Sequence, residues 1–166
     1  MGVSIKSLKG KVKRPIRVAK VCLDGSLWAK HDELAEQLES ARGQSSPTMG
    51  ADPKVTELTK QLAKVEEDMR KAEVAIEFRG ISSYELAALQ ARFPSEDKRL
   101  AWDINAGAAA LIAASAVEPT TEEEARELLE ELHFAATDKL IGTAWNATTG
   151  STEVPTSAPA SALIRS

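Results

Sequence analysis

The chain has 166 residues, enough for one ordinary domain or two small ones, and no apolar run approaches the roughly 18 residues needed to span a bilayer. Apolar residues make up 43% of it but aromatics only 4%, so its core must be built from Ala, Leu, Val and Ile, which favours closely packed helices. A net charge of −4 hides a strong asymmetry, because all 25 acids lie beyond residue 20, and the single cysteine, Cys22, excludes an internal disulfide and suits a reducing compartment.

Residues 1–20 carry seven Lys/Arg and no acid, while the other 146 residues hold 14 Lys/Arg and 25 Asp/Glu, a balance of −11. No apolar segment follows the basic run, so it does not read as a secretory signal. Residues 1–15 read as a flexible, solvated arm; an electrostatic contact with an acidic partner, or with the protein's own acidic helices, is the sharper alternative. The arm lacks aromatic interleaving and sits on an acidic body, which argues against nucleic acid.

Residues 16–23 (IRVAKVCL) are β-branched and partly alternating, and Asp24-Gly25 stops them, so a short strand is expected. With Ser26 as cap, a helix is expected over 27–42, its stripe formed by Leu27, His31, Leu34, Leu38 and Ala41. Residues 43–53 read as a loop. Asp52 followed by Pro53 opens a second helix over 53–72. Val55, Leu58, Leu62, Val65 and Met69 recur at intervals of 3 and 4 and share one narrow face, with polar and charged residues between them. Two seamed helices joined by a loop predict an antiparallel hairpin, an intermolecular coiled coil and hence self-association being the alternative. Val74, Ile76 and Phe78 alternate with Ala75, Glu77 and Arg79 before Gly80, predicting a second strand that pairs with the first at the hairpin's base.

Beyond residue 80 the pattern is helical. Ser82 and Glu85 form a capping box with Ile81 and Leu86 at the staple positions, opening a helix over 83–92 that Pro94 ends. Asp103 opens an Ala-rich buried helix that stops before Pro119. Thr121 and Glu124 form a second capping box, ahead of an apolar face of Ala125, Leu128, Leu129 and Leu132. A last helix is expected from Thr137 or Asp138, and residues 149–166, rich in Ser, Thr, Pro and Ala, read as a disordered tail. The fold class is therefore mainly α: a helical hairpin flanked by two short strands (β-αα-β, residues 16–80), a small helical bundle (81–148) and a flexible tail.

Chemistry is sparse. His31 and His133 stand about 100 residues apart without a metal-binding spacing, and Cys22, inside a strand, reads as a small buried hydrophobe. No nucleophile elbow and no phosphate-cradling glycine motif occur, so no catalytic residue, metal or cofactor is expected and the protein does not read as an enzyme. Glu122, Glu123, Glu124, Glu127, Glu130 and Glu131 read as one solvated helix face, the first three favouring the helix dipole. Of Trp28, Trp102 and Trp145, expected as core or edge anchors, Trp145 is the candidate partner-binding residue because it ends the last helix before the tail. Leu163 and Ile164, the tail's last apolar pair, are the other candidates, as a short linear contact.

The order of these pieces resembles a family. A short strand (RVAKVCLD), a charged hairpin, a second strand (VAIEFRGIS), YELAALQARFP, a helix closing in AASAVEP at 113–119 and an acidic helix follow one another. The end carries Ala144, Trp145 and Asn146, then Val154, Pro155, Ser157, Ala160 and Ser161. This is similar to the tail assembly chaperones that actinobacterial long-tailed phages encode between their tail-tube and tape-measure genes, and the likeness covers nearly everything after Arg14. It implies a non-enzymatic protein that binds the tape-measure protein, keeps its helices soluble and helps recruit tail-tube subunits. It also implies work in the host cytoplasm during assembly and absence from the finished virion. The Lys-rich stretch before Pro15 has no counterpart in the family pattern. The alternatives are a structural virion component, such as a head–tail connector or minor tail protein, and a regulatory or nucleic-acid-binding protein using the basic arm.

Overall fold

A computed structural model describes residues 2–44, 50 and 52–150. The described elements are α1 (Ile5–Leu8), β1 (Ile16–Cys22), α2 (Gly25–Gln44), α3 (Pro53–Lys71), β2 (Glu73–Arg79), α4 (Ser83–Arg92), α5 (Ala108–Ser115), α6 (Glu122–Glu131) and α7 (Phe134–Thr149). The protein is mainly helical, with a hairpin rising between two strands, as the hydrophobic periodicity predicts.

Two separate cores hold it together. The hairpin has its own, in which Leu34, Leu38 and Ala41 of α2 meet Leu58 and Val65 of α3, with Val55, Leu62 and Met69 packed alongside. The stripe of α3 is thus an internal brace. No residue of α4 to α7 belongs to this cluster. The second core lies beneath the strands. It joins Ala19, Val21 and Phe78 to Leu89, Trp102, Leu111, Ile112, Ala125, Leu140 and Ala144, among others.

β1 and β2 pair antiparallel, with Ala19 opposite Ile76 and Arg17 opposite Phe78. Opposed residues share a face, so Ala19, Val21, Ile76 and Phe78 turn together toward the body. A lone two-stranded ribbon is marginal in water. Here α7 lies beneath it: Ala136, Leu140, Ala144 and Ala147 are all buried, at helical spacing, and their small side chains let the backbones approach closely. Gly80 marks the closest approach, because a Cβ there would strike the Ala147 carbonyl.

Caps set several boundaries. Asp24, not Ser26, caps α2: its Oδ1 accepts from the Ser26 amide (2.9 Å) and hydroxyl (2.6 Å), so the helix starts at Gly25. Both bonds hold the Asp24 carboxyl below its ordinary pKa. Asp52 caps α3 as expected, accepting from the Lys54 amide at 2.9 Å. Both capping boxes form, Ser82 with Glu85 and Thr121 with Glu124.

Other boundaries also differ from expectation. The Ala-rich helix does not open at Asp103. Asp103 Oδ1 accepts from the Asn105 and Ala106 amides, both at 3.0 Å, and closes a turn. Gly107 then lies under the Trp102 ring, and regular helix starts only at Ala108. It ends at Ser115 because Ala116 leaves the helix to bridge Phe78, and the Val117 amide donates to the Glu77 carbonyl at 2.9 Å. The last helix begins at Phe134, ahead of Thr137, with His133 at its cap position and no side-chain bond there. It runs through Thr149, past the expected start of the tail. The basic arm contains a short helix, α1, that buries nothing.

Two stability effects follow. Gly142 sits in mid-α7, and a Cβ there would meet nothing within 4 Å. Gly142→Ala should therefore stabilise the protein by about 0.5–1 kcal/mol, read by chemical denaturation, through reduced backbone entropy of the unfolded chain. At the α4 cap, the Ser82 amide and hydroxyl and then Arg14 hold the Glu85 carboxyl below its ordinary value of 4.5. A depressed carboxylate stabilises above its unfolded pKa, and that contribution disappears as pH falls through the folded value. Ser82→Ala should cost about 1 kcal/mol at neutral pH. The gap from the parent should narrow below pH 4.5, the ordinary Glu85 value, as measured by denaturation across pH.

Candidate functional site

An apolar concavity lies where the hairpin base meets α7. It is a cleft of about 250 Å³ whose walls include Val21 and Cys22 of β1, Trp28 of α2, Met69 of α3, and His133 and Ala136 beside and within α7. Trp28 is its aromatic wall. The ring lies 5.9 Å from His133 and 6.2 Å from His31, centroid to centroid, and stays 39% exposed. Phe134, next in the chain to His133, is 83% exposed. Exposed aromatics beside a concavity are a common signature of a protein-docking surface.

The cleft's charge is opposite to the balance of the body. Lys20, Arg70 and Lys139 line it, against one carboxylate, Glu73, whereas residues 21–166 carry a balance of −11. The arrangement can accept an apolar side chain while offering cations to acidic neighbours on the same partner helix. Cys22 is buried in the wall, its Sγ 4.0 Å from the Asp24 carbonyl, as expected of a small hydrophobe. His31 turns toward the seam edge, with Nε2 3.7 Å from Glu66 Oε1 and Nδ1 3.4 Å from Asp32 Oδ1. Among the described residues, no group of three or more His, Cys, Asp and Glu stands ready for a metal ion, and no helix is long and apolar enough to cross a membrane.

A second concavity, a groove of about 460 Å³, runs between β2 and α6. Ile76, Phe78, Ile112, Leu128 and Leu140 contribute to its apolar lining, and Glu77 and Glu118 are its charged residues. On the outer side of the body, Arg92 of α4 grips Glu122 of α6 through two bonds, at 2.6 and 2.8 Å, holding that carboxyl below its ordinary range and fixing the start of α6.

The candidates chosen from sequence fare differently. Trp145 is half-buried, its ring centroid 5.9 Å from that of buried Trp102, and both belong to the body core. Together they edge a shallow hollow with Leu100 and Ile104. Leu163 and Ile164 lie outside the described residues. The cleft residues were not singled out as a set, because Trp28 and His133 are brought together only by α7 crossing the ribbon. The one local sign was Phe134, a large apolar residue at a helix start that has no capping side chain. No protein-family model matches the chain, and neither curated proteins nor solved structures show significant similarity to it.

Proposed function

We propose that this protein is a non-enzymatic tail assembly chaperone of a long-tailed phage. In this reading it holds helices of the tape-measure protein and helps bring tail-tube subunits to them. The order of motifs through AASAVEP and the Trp145-Asn146 region motivates the proposal. The observation that carries it is the cationic, aromatic-walled cleft at the hairpin base, flanked by exposed Phe134. A protein that shields amphipathic helices needs an apolar docking surface on a highly charged frame, and this surface combines the two.

Co-expression with a tape-measure protein provides the test. The expected result is co-purification and a gain in soluble tape measure. Phe134→Lys should weaken capture by about tenfold while leaving the melting midpoint in place, since Phe134 contributes no buried contact surface of note. No association and no gain in solubility would end this reading. Mass spectrometry of purified particles should find the protein absent; stoichiometric presence would favour a structural virion component.

A further inference from the structure

The basic arm and the groove beside β2 are complementary in charge and in apolar character. The arm exposes its apolar residues: Val3, Ile5 and Val12 are 70%, 87% and 77% exposed. Such side chains gain from burial, and the arm's lysines keep them soluble meanwhile. Lys9, Lys11 and Lys13 add cations around Val12; the turn over 9–11, closed by the Lys11 amide on the Leu8 carbonyl at 3.0 Å, opens for the arm to lie along a strand edge.

The groove offers what such a segment needs. Its lining is apolar, with Glu77 and Glu118 and no Lys, Arg or His. It also borders a strand edge. β1 occupies one side of β2; on the other, residues 116–117 pair with Glu77 and Phe78, and Pro119 follows without an amide hydrogen to continue the ladder. Backbone groups of alternate residues face the same side of a strand, so Ala75, exposed, presents its amide and carbonyl on the side where Glu77 accepts from Val117. An open edge beside an apolar groove is a template for strand addition.

The protein's own arm starts on the wrong side. It leaves from β1, where Val12 and Lys13 line a hollow with Ile16 and Arg79, and Arg14 is tied to Glu85 at 3.0 Å. The groove lies along the opposite edge, that of β2. The cleft at the hairpin base is excluded as a receiver because Lys20, Arg70 and Lys139 would repel the arm.

We infer that the groove between β2 and α6 receives the basic N-terminal arm of a second copy of this chain, so that two copies exchange arms. This inference stands apart from the tape-measure reading. Sedimentation velocity of the full chain at about 50 mM and about 500 mM NaCl tests it, since screening weakens exposed charge pairs. At low salt the chain should sediment at twice its 17.8 kDa, and high salt should shift it toward monomer. Deleting residues 2–13 should halve the low-salt mass. So should Glu77→Lys with Glu118→Lys, and so should Ile5→Asp with Val12→Asp, which alters only residues outside the core. Each variant should keep the parent's melting midpoint; the arm pair stays decisive if the groove pair does not fold. A full chain that is monomeric at both salt levels up to about 100 μM, well above the range of standard protein–protein affinities, would overturn the inference. So would a dimer that survives the arm deletion.

Discussion

Replacing Phe78 by Ala should destabilise the protein by about 3–5 kcal/mol, the range for a large aromatic cut from a packed core. The ring is fully buried and lies where three parts of the fold converge. It sits on the body face of β2, opposite Arg17 of β1, and bridges Ala116 after α5. Beneath it, Leu140 of α7 and Ile112 of α5 share its core. Few aromatics are available to refill the space, because the chain is only 4% aromatic and the surrounding residues are mostly Ala, Leu and Ile. A domain of this size shifts its midpoint by about 2–4 °C per kcal/mol, so thermal melting should fall by roughly 10 °C. A change of only a degree or two would mean that the ribbon is held to the body by something other than this side chain. Val74→Ala on the same strand is the control, since Val74 is more than one-third exposed and should cost far less.

The second large effect belongs to the hairpin. Val65 is 3% exposed at the centre of the seam, facing α2. Val65→Glu places a carboxylate in the apolar cluster of Leu34, Leu38 and Leu58. The cost is on the order of 3–5 kcal/mol, typical of an uncompensated buried charge. Because the hairpin core and body core share no residue, the loss should be local. Helicity should drop by about the amount contributed by α2 and α3, which are 20 and 19 residues long. The near-ultraviolet signal of the Trp102–Trp145 pair should persist, because that pair lies in the other core. The ribbon then closes a long flexible loop, an entropic cost that grows only slowly with length. Simultaneous loss of both signals in one transition would show instead that the two cores fold as a unit.

These expectations mark where local pattern was sufficient. The seams of α2 and α3 were legible because heptad-like spacing leaves one apolar face per helix, and two such faces joined by a loop have one economical solution. The capping boxes at Ser82 and Thr121 and the Asp52-Pro53 start were legible because a cap bonds within three residues of itself. Pairing of the strands followed from their alternation and from the hairpin bringing their ends together.

Other features depended on contacts distant in sequence. Asp103 has the chemistry of a helix cap, yet α5 waits for Ala108 because Gly107 packs beneath Trp102. Ala116 has helical propensity, yet becomes extended because β2 has an open edge to satisfy. Trp145, expected at the core or its edge, meets Trp102 there only because α7 runs back past the turn before α5. Trp28 stays 39% exposed between His31 of its own helix and His133, which the start of α7 brings beside it. By itself, then, the sequence determined the two strands, the hairpin and the caps at Asp52, Ser82 and Thr121, all set by interactions reaching a few residues along the chain. Only the tertiary structure decided which aromatic faces the cleft, where α5 begins and ends, and which strand edge stays open, because those depend on which distant surfaces are left to cover one another.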